Sequence, residues 1–146
     1  LPAQDIEVWI GATAPAAINR TARLAEGWLG TPSATPQQAK EQLNQYRQAC
    51  AEHQRAPTAV ALRRDVFIAG SVKEAEAFRS DAVAKGYRGF PEEALICGDV
   101  LQVADQFAEF SDAGFTDIVV RNMSSDQSQA LATIEALSDV RRQLNL

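Results

Sequence analysis

The chain offers little to a metal: one histidine, His53, and two cysteines, Cys50 and Cys97, in 146 residues. The cysteines show no CxxC spacing, and one imidazole does not complete a zinc set with them, so no metal site is expected. Cys50 falls on the apolar side of a helical pattern and Cys97 precedes Gly98. Both read as buried thiols of a reducing compartment, the cytoplasm. His53 lies in the polar AEHQR run near a helix end and reads as a surface residue or dipole complement. No apolar run approaches the ~20 residues that span a bilayer. Residues 1–5 show neither a basic region nor an apolar core, so no signal peptide is expected. Positive charge is also scarce: 14 Lys and Arg stand against 19 Asp and Glu, a net charge of −5. That balance argues against nucleic acid and anionic membranes as partners. The arginine pairs Arg63–Arg64 and Arg141–Arg142 have no basic stripe beside them. An initiator Met is missing and the first strand pattern starts almost at once, which reads as a piece of something longer.

The composition is that of a globular protein, 46% hydrophobic and 23% charged, and the length suits a single domain over 1–146. Strand and helix patterns alternate. Strands are expected at 6–10, 27–29, 58–69 and 116–121, the third interrupted by Arg63-Arg64-Asp65 as a bulge or a polar strand start. Helices are expected at 15–26, 36–53, 72–84, 100–113 and 127–143. Thr35 with Gln38, Ser71 with Glu74 and Asp99 with Gln102 have capping-box spacing, and Gly114 supplies a C-terminal stop. Inward stripes follow the helical period: Ala39, Leu43, Tyr46 and Cys50 in the second helix, and Ala130, Ile134, Leu137, Val140 and Leu144 in the last. The segment 85–91, KGYRGFP, reads as a loop. Alternation of this kind predicts about four parallel strands with right-handed crossovers. An open sheet so small leaves unpaired edges, so either two copies pair or the rest of a barrel is missing.

The segment from Val8 to Gly30 carries the most chemistry. A strand runs into Gly11, a Thr-Ala-Pro turn opens a helix, and a second strand follows at once. A helix N-terminus beside a strand end presents free backbone N–H groups and the positive end of a dipole, a seat for phosphate. Gly11 admits a ligand close to the backbone, and Pro15 suits the first helical turn, where its missing N–H costs nothing.

The same residues resemble the luciferase-like flavin-dependent oxidoreductases. The resemblance rests on Gly11-Ala12-Thr13, then Asn19-Arg20-Thr21-Ala22-Arg23-Leu24, then Glu26-Gly27-Trp28. It continues, in family order, through YRQAC, RRDVFIAG, ICGDVLQVADQFAEF and GFTDIVVRN, and covers essentially the whole chain. Ala12 stands where the family often has a second glycine, and Glu26 where it often has Asp. The resemblance implies the C-terminal half of a (β/α)₈ TIM barrel, with the active site at the C-terminal strand ends. It places a cofactor phosphate at Gly11, Ala12, Thr13 and Ala14, with Gly30 and Thr31 completing the cradle and Arg121 on the same face. The implied cofactor is FMN, with a deazaflavin as the alternative. In the family, reduced FMN from a separate flavin reductase reacts with oxygen and oxidises a small-molecule substrate, whereas the deazaflavin branch moves hydride. No catalytic residue is assigned, since the groups near the flavin ring belong to the other half of such a barrel.

Each candidate also has a structural reading. Trp28 reads as a core residue before a stacking platform, and Arg64 as a strand-end salt bridge before a phosphate ligand. Arg121 serves either role. Tyr87, Arg88 and Phe90 suit a lid and an ordered surface loop equally. Two functions therefore stand: the cofactor-phosphate half of an oxidoreductase, and a non-catalytic half-barrel that self-associates as a homodimer.

Overall fold

A computed structural model describes residues 6–145 of the chain. Residues 1–5, read above as free of a leader, lie outside the described residues, as does Leu146. Ten main elements alternate: β1 (Trp9–Gly11), α1 (Pro15–Leu24), β2 (Gly27–Gly30), α2 (Pro36–Glu52), β3 (Ala59–Ile68), α3 (Val72–Ala84), β4 (Leu95–Gly98), α4 (Val100–Ala113), β5 (Asp117–Asn122) and α5 (Gln127–Gln143). The strand order is β1-β2-β3-β4, and β5 pairs with β3. The β1–β2, β2–β3 and β3–β4 ladders are parallel. Among the described residues no helix is long and apolar enough to cross a membrane.

Five strands form where about four were expected. The extra one, β4, pairs Leu95–Gly98 with Asp65–Ile68. Four residues are too few to show a period, and they follow a loop marked by Gly and Pro. That loop holds a 3-10 turn, Tyr87–Gly89, and a second, Glu92–Ala94, follows it directly. The triplet Arg63-Arg64-Asp65 is neither bulge nor strand start. It lies inside a continuous ten-residue strand, with Arg64 and Asp65 at 1% and 0% exposure.

The chain divides into two compact units, residues 1–63 with 114–119 and residues 64–113 with 120–146. In the first, β1, β2 and the start of β3 carry α1 and α2. Trp28 is the centre of its core: wholly buried, 5.4 Å from the Tyr46 ring and 6.1 Å from that of Phe115 between centroids. Close packing explains two glycines of β2. A Cβ on Gly27 would lie 2.8 Å from the Trp9 ring and 2.9 Å from the Ala59 methyl, and one on Gly30 would meet Leu62 at 2.9 Å. Helix α2 starts with the full capping box of Thr35 and Gln38. Glu26 has a structural task as well, since its carboxylate accepts the Val8 N–H at 2.9 Å and fixes the entry to β1.

In the second unit, Phe67 stacks on Phe78 at 3.7 Å, within a cluster of Ala69, Ala75, Ala82, Leu95, Cys97 and Met123. Asp99 and Gln102 complete a capping box at α4. The box expected at α3 is half made: Ser71 accepts from the Glu74 N–H, but the Glu74 carboxylate accepts from Gly70 instead. The expected stripe of α5 holds at Val140, which is 1% exposed, and at the half-buried Ala130, Leu137 and Leu144, but not at Ile134. Ile134 is 57% exposed, while Thr133 is buried and its hydroxyl accepts the Ile68 N–H at 3.3 Å.

Candidate functional site

Two sites follow from this frame, one in each unit. In the first, β1 ends at Gly11 and α1 begins at Pro15, with Ala14 at the N-cap. No side chain caps this helix end. Backbone N–H groups of a first turn without such a partner can be satisfied by water or by an anion. Gly11 is open, because a Cβ there would meet only the Leu29 carbonyl oxygen, at 3.8 Å. Ala12 is committed elsewhere. Its N–H donates to Leu29 O at 3.4 Å and its carbonyl accepts the Trp28 indole N–H at 2.8 Å. The remaining donors are Thr13, Ala14 and, in the first helical turn, Ala16, all exposed.

Beside them lies a cleft of about 260 Å³, lined by Thr13, Pro15, Thr31, Ser33, Gln42 and other residues of α2. The Thr31 and Ser33 hydroxyls are 3.0 Å apart within hydrogen-bond reach of each other. Thr13 and Thr31 therefore line the same cleft. Gly30 is buried, and the packing of Leu62 and Trp28 accounts for its being glycine. Glu41 also lines the cleft and opposes an anion there. The volume falls short of the ~300–1,000 Å³ of whole-ligand pockets.

Arg121 belongs to the second unit. Its Nη1 lies 3.5 Å from Asp65 Oδ2. The same oxygen accepts from Tyr87 Oη at 2.9 Å and pairs with Arg88 Nη1 at 3.4 Å. Burial raises the Tyr87 phenol above its ordinary range, and its bond to the Asp65 carboxylate adds to the rise. Arg64 points to another neighbour. Its guanidinium lies 4.7 Å from the centre of the Phe110 ring, a buried cation–π contact, and it sits in mid-strand and not at the strand end that the sequence suggested. Burial lowers its pKa to about 10, with the Asp65 charge opposing the fall.

The thiols show no sign of activation. Burial pushes Cys97 up to about 11 and raises Cys50 as well. A thiol so held is a poor nucleophile at neutral pH. His53 caps α2, with Nε2 3.2 Å from Asn19 Oδ1. Asp65 was missed in the sequence because a charged triplet in an apolar run reads as an interruption.

A sequence model of the luciferase-like monooxygenases matches residues 1–93. The chain belongs to that family. No curated protein matches it. Solved structures of similar fold include a monooxygenase from Streptomyces bottropensis, 16% identical with a TM-score of 0.74, covering 96% of this chain and 48% of that one. A coenzyme F420-dependent tetrahydromethanopterin reductase from Methanopyrus kandleri is 19% identical with a TM-score of 0.65, over 88% and 49%. The oxygenating constituent of 3,6-diketocamphane monooxygenase from Pseudomonas putida, solved with FMN, is 16% identical with a TM-score of 0.66, over 90% and 47%. This luciferase-like chain thus spans about half the length of each of these structures. It has the α/β architecture of half a TIM barrel, parallel strands alternating with helices.

Proposed function

We propose that the chain supplies the cofactor-phosphate side of a flavin-dependent oxidoreductase, with FMN as the cofactor and a deazaflavin as the alternative. The observation that carries this reading is the uncapped start of α1, opening beside Thr31 and Ser33. The N–H groups of Thr13 and Ala14 would hold the phosphate, with the helix dipole adding attraction. A bound flavin would supply the redox chemistry itself. The residues of this chain bind and orient its phosphate end, and Trp28 holds the turn in place through the Ala12 carbonyl. A small-molecule substrate and a separate flavin reductase complete the reading.

Titration with FMN, followed by flavin fluorescence and compared with riboflavin, tests it. Saturable binding of FMN with at least tenfold weaker binding of riboflavin is expected. Thr13→Glu should weaken FMN by tenfold or more, because it sets a carboxylate where the phosphate sits. Equal binding of both flavins, or an unchanged Thr13→Glu variant, would remove the phosphate from this turn.

A second reading rests on the edge of the sheet. Strand β1 pairs only with β2 among the described residues, and beside it Ile6, Val8 and Trp9 are 77%, 53% and 40% exposed. We propose that this edge pairs with a second copy in a homodimer, which would cover apolar surface and unpaired backbone together. Light scattering at micromolar concentration should give twice the mass of the chain, and Val8→Lys should return it to monomer. A parent chain that runs as a monomer would end this reading.

A further inference from the structure

The cluster around Asp65 has more positive charge than its one carboxylate balances. Arg88 and Arg121 both pair with Asp65 Oδ2, and among the described residues neither is within ion-pair distance of another acidic group. Asp65 is wholly buried, while the two arginine side chains are 39% and 50% exposed. Each guanidinium carries five N–H donors, so the contact with Asp65, and for Arg121 a further hydrogen bond with Tyr87, leaves others for another acceptor. Two cations held to one oxygen atom repel each other, and a second anion would relieve that repulsion.

The backbone is also set to deliver Arg88. Gly86, Arg88 and Gly89 have φ of +65°, +50° and +69°. Only the first and last are glycines, so Arg88 takes a left-handed conformation at some cost. That conformation is secured by its side chain, which pairs with Asp65 and lies 5.1 Å from the centre of the Phe90 ring. Tyr87 Oη fills the third approach to Oδ2. The guanidiniums are thus braced by a buried carboxylate, an aromatic face and a constrained turn, an arrangement suited to bidentate recognition of an oxyanion.

We propose that Arg88 and Arg121 form an oxyanion site for the carboxylate or phosphate group of a small molecule, with Asp65 and Tyr87 as positioning residues. This site is independent of the phosphate seat at α1. Both chemistries share one geometry, two acceptor oxygens facing two guanidinium forks.

The test is an NMR titration of the arginine side-chain Nε–Hε signals at pH 6.5, with inorganic phosphate, acetate or chloride at constant ionic strength. Saturable shifts at Arg88 and Arg121 with phosphate identify a phosphate site, and with acetate a carboxylate site. Arg88→Gln and Arg121→Gln should each weaken that binding at least fivefold. Arg142→Gln, which alters an exposed pair with Asp139, should leave it unchanged. Arg88→Lys should restore only part, because it returns the charge without the fork. Phosphate at α1 would move the backbone amides of Thr13 and Ala14 instead, so the two readings fail separately. Shifts that never saturate, that chloride reproduces, or that Arg141 and Arg142 share would overturn the proposal.

Discussion

Trp28→Ala should destabilise the protein by about 4 kcal/mol, the cost typical of emptying a large aromatic site in a core. The side chain is fully buried between Tyr46 and Phe115. Its truncation removes both ring contacts and opens a cavity that α1 and α2 cannot fill without moving. A hydrogen-bond loss comes on top. The Ala12 carbonyl would be left without its indole donor, at a cost of about 1 kcal/mol or more if water does not reach it. Trp28→Phe separates these contributions, since it keeps most of the ring and deletes the N–H; a loss of about 2 kcal/mol is expected. Urea unfolding followed by far-UV circular dichroism measures both. A Trp28→Ala variant within 1 kcal/mol of the parent would show that the core repacks around the gap.

The same substitution links stability to the site. Ala12 is tied to Leu29 through its N–H and to Trp28 through its carbonyl. Both ties hold the turn that leads into α1. Releasing one should loosen Thr13 and Ala14, so FMN affinity should fall in Trp28→Phe even where the fold survives. A phosphate seat built from backbone depends on the rigidity of that backbone. In the proposed seat that rigidity would come from the Trp28 indole, through its bond to the Ala12 carbonyl.

Local signals carried much of the architecture. Proline at the first helical position and the boxes at Thr35 and Asp99 marked helix starts that the structure reproduces. They are legible because a cap is made within three residues of the chain. The β1–α1 turn was legible for the same reason, and its closeness to Thr31 follows from β1 and β2 being parallel neighbours. What escaped notice depends on distant partners. Thr133 is buried beside β3 and accepts the Ile68 N–H while Ile134 faces out, and that partner lies 65 residues away in the chain. The Asp65 cluster is harder still. Its partners Tyr87 and Arg88 lie 22 and 23 residues away. Nothing in the Arg63-Arg64-Asp65 triplet says that one charge faces an aromatic ring and the next a pair of arginines. A clue was present in the apolar runs on both sides, 59–62 and 66–69, which continue one strand through the charges.

Asp65→Ala is the second large effect, with an expected loss of about 3 kcal/mol. Removing one member of a buried ion pair costs about 3–5 kcal/mol, because the remaining charge stays desolvated. The lower end applies here, since Arg88 and Arg121 are partly exposed and can turn to water. Tyr87 has less freedom: its hydroxyl loses its acceptor while the ring stays packed on the second unit's core. Arg64 should suffer too, because the Asp65 charge opposes the burial that lowers its pKa. Asp65→Asn keeps an acceptor oxygen for Tyr87 but gives up the charge, so it should lie between the two, near 2 kcal/mol. Hydrogen exchange adds a local readout. The amides of residues 86–90 should exchange at least tenfold faster in Asp65→Ala, because Arg88 then keeps only the Phe90 ring to secure its left-handed turn. Unchanged exchange there, with stability within 0.5 kcal/mol of the parent, would show that the turn holds itself and that the carboxylate braces neither arginine.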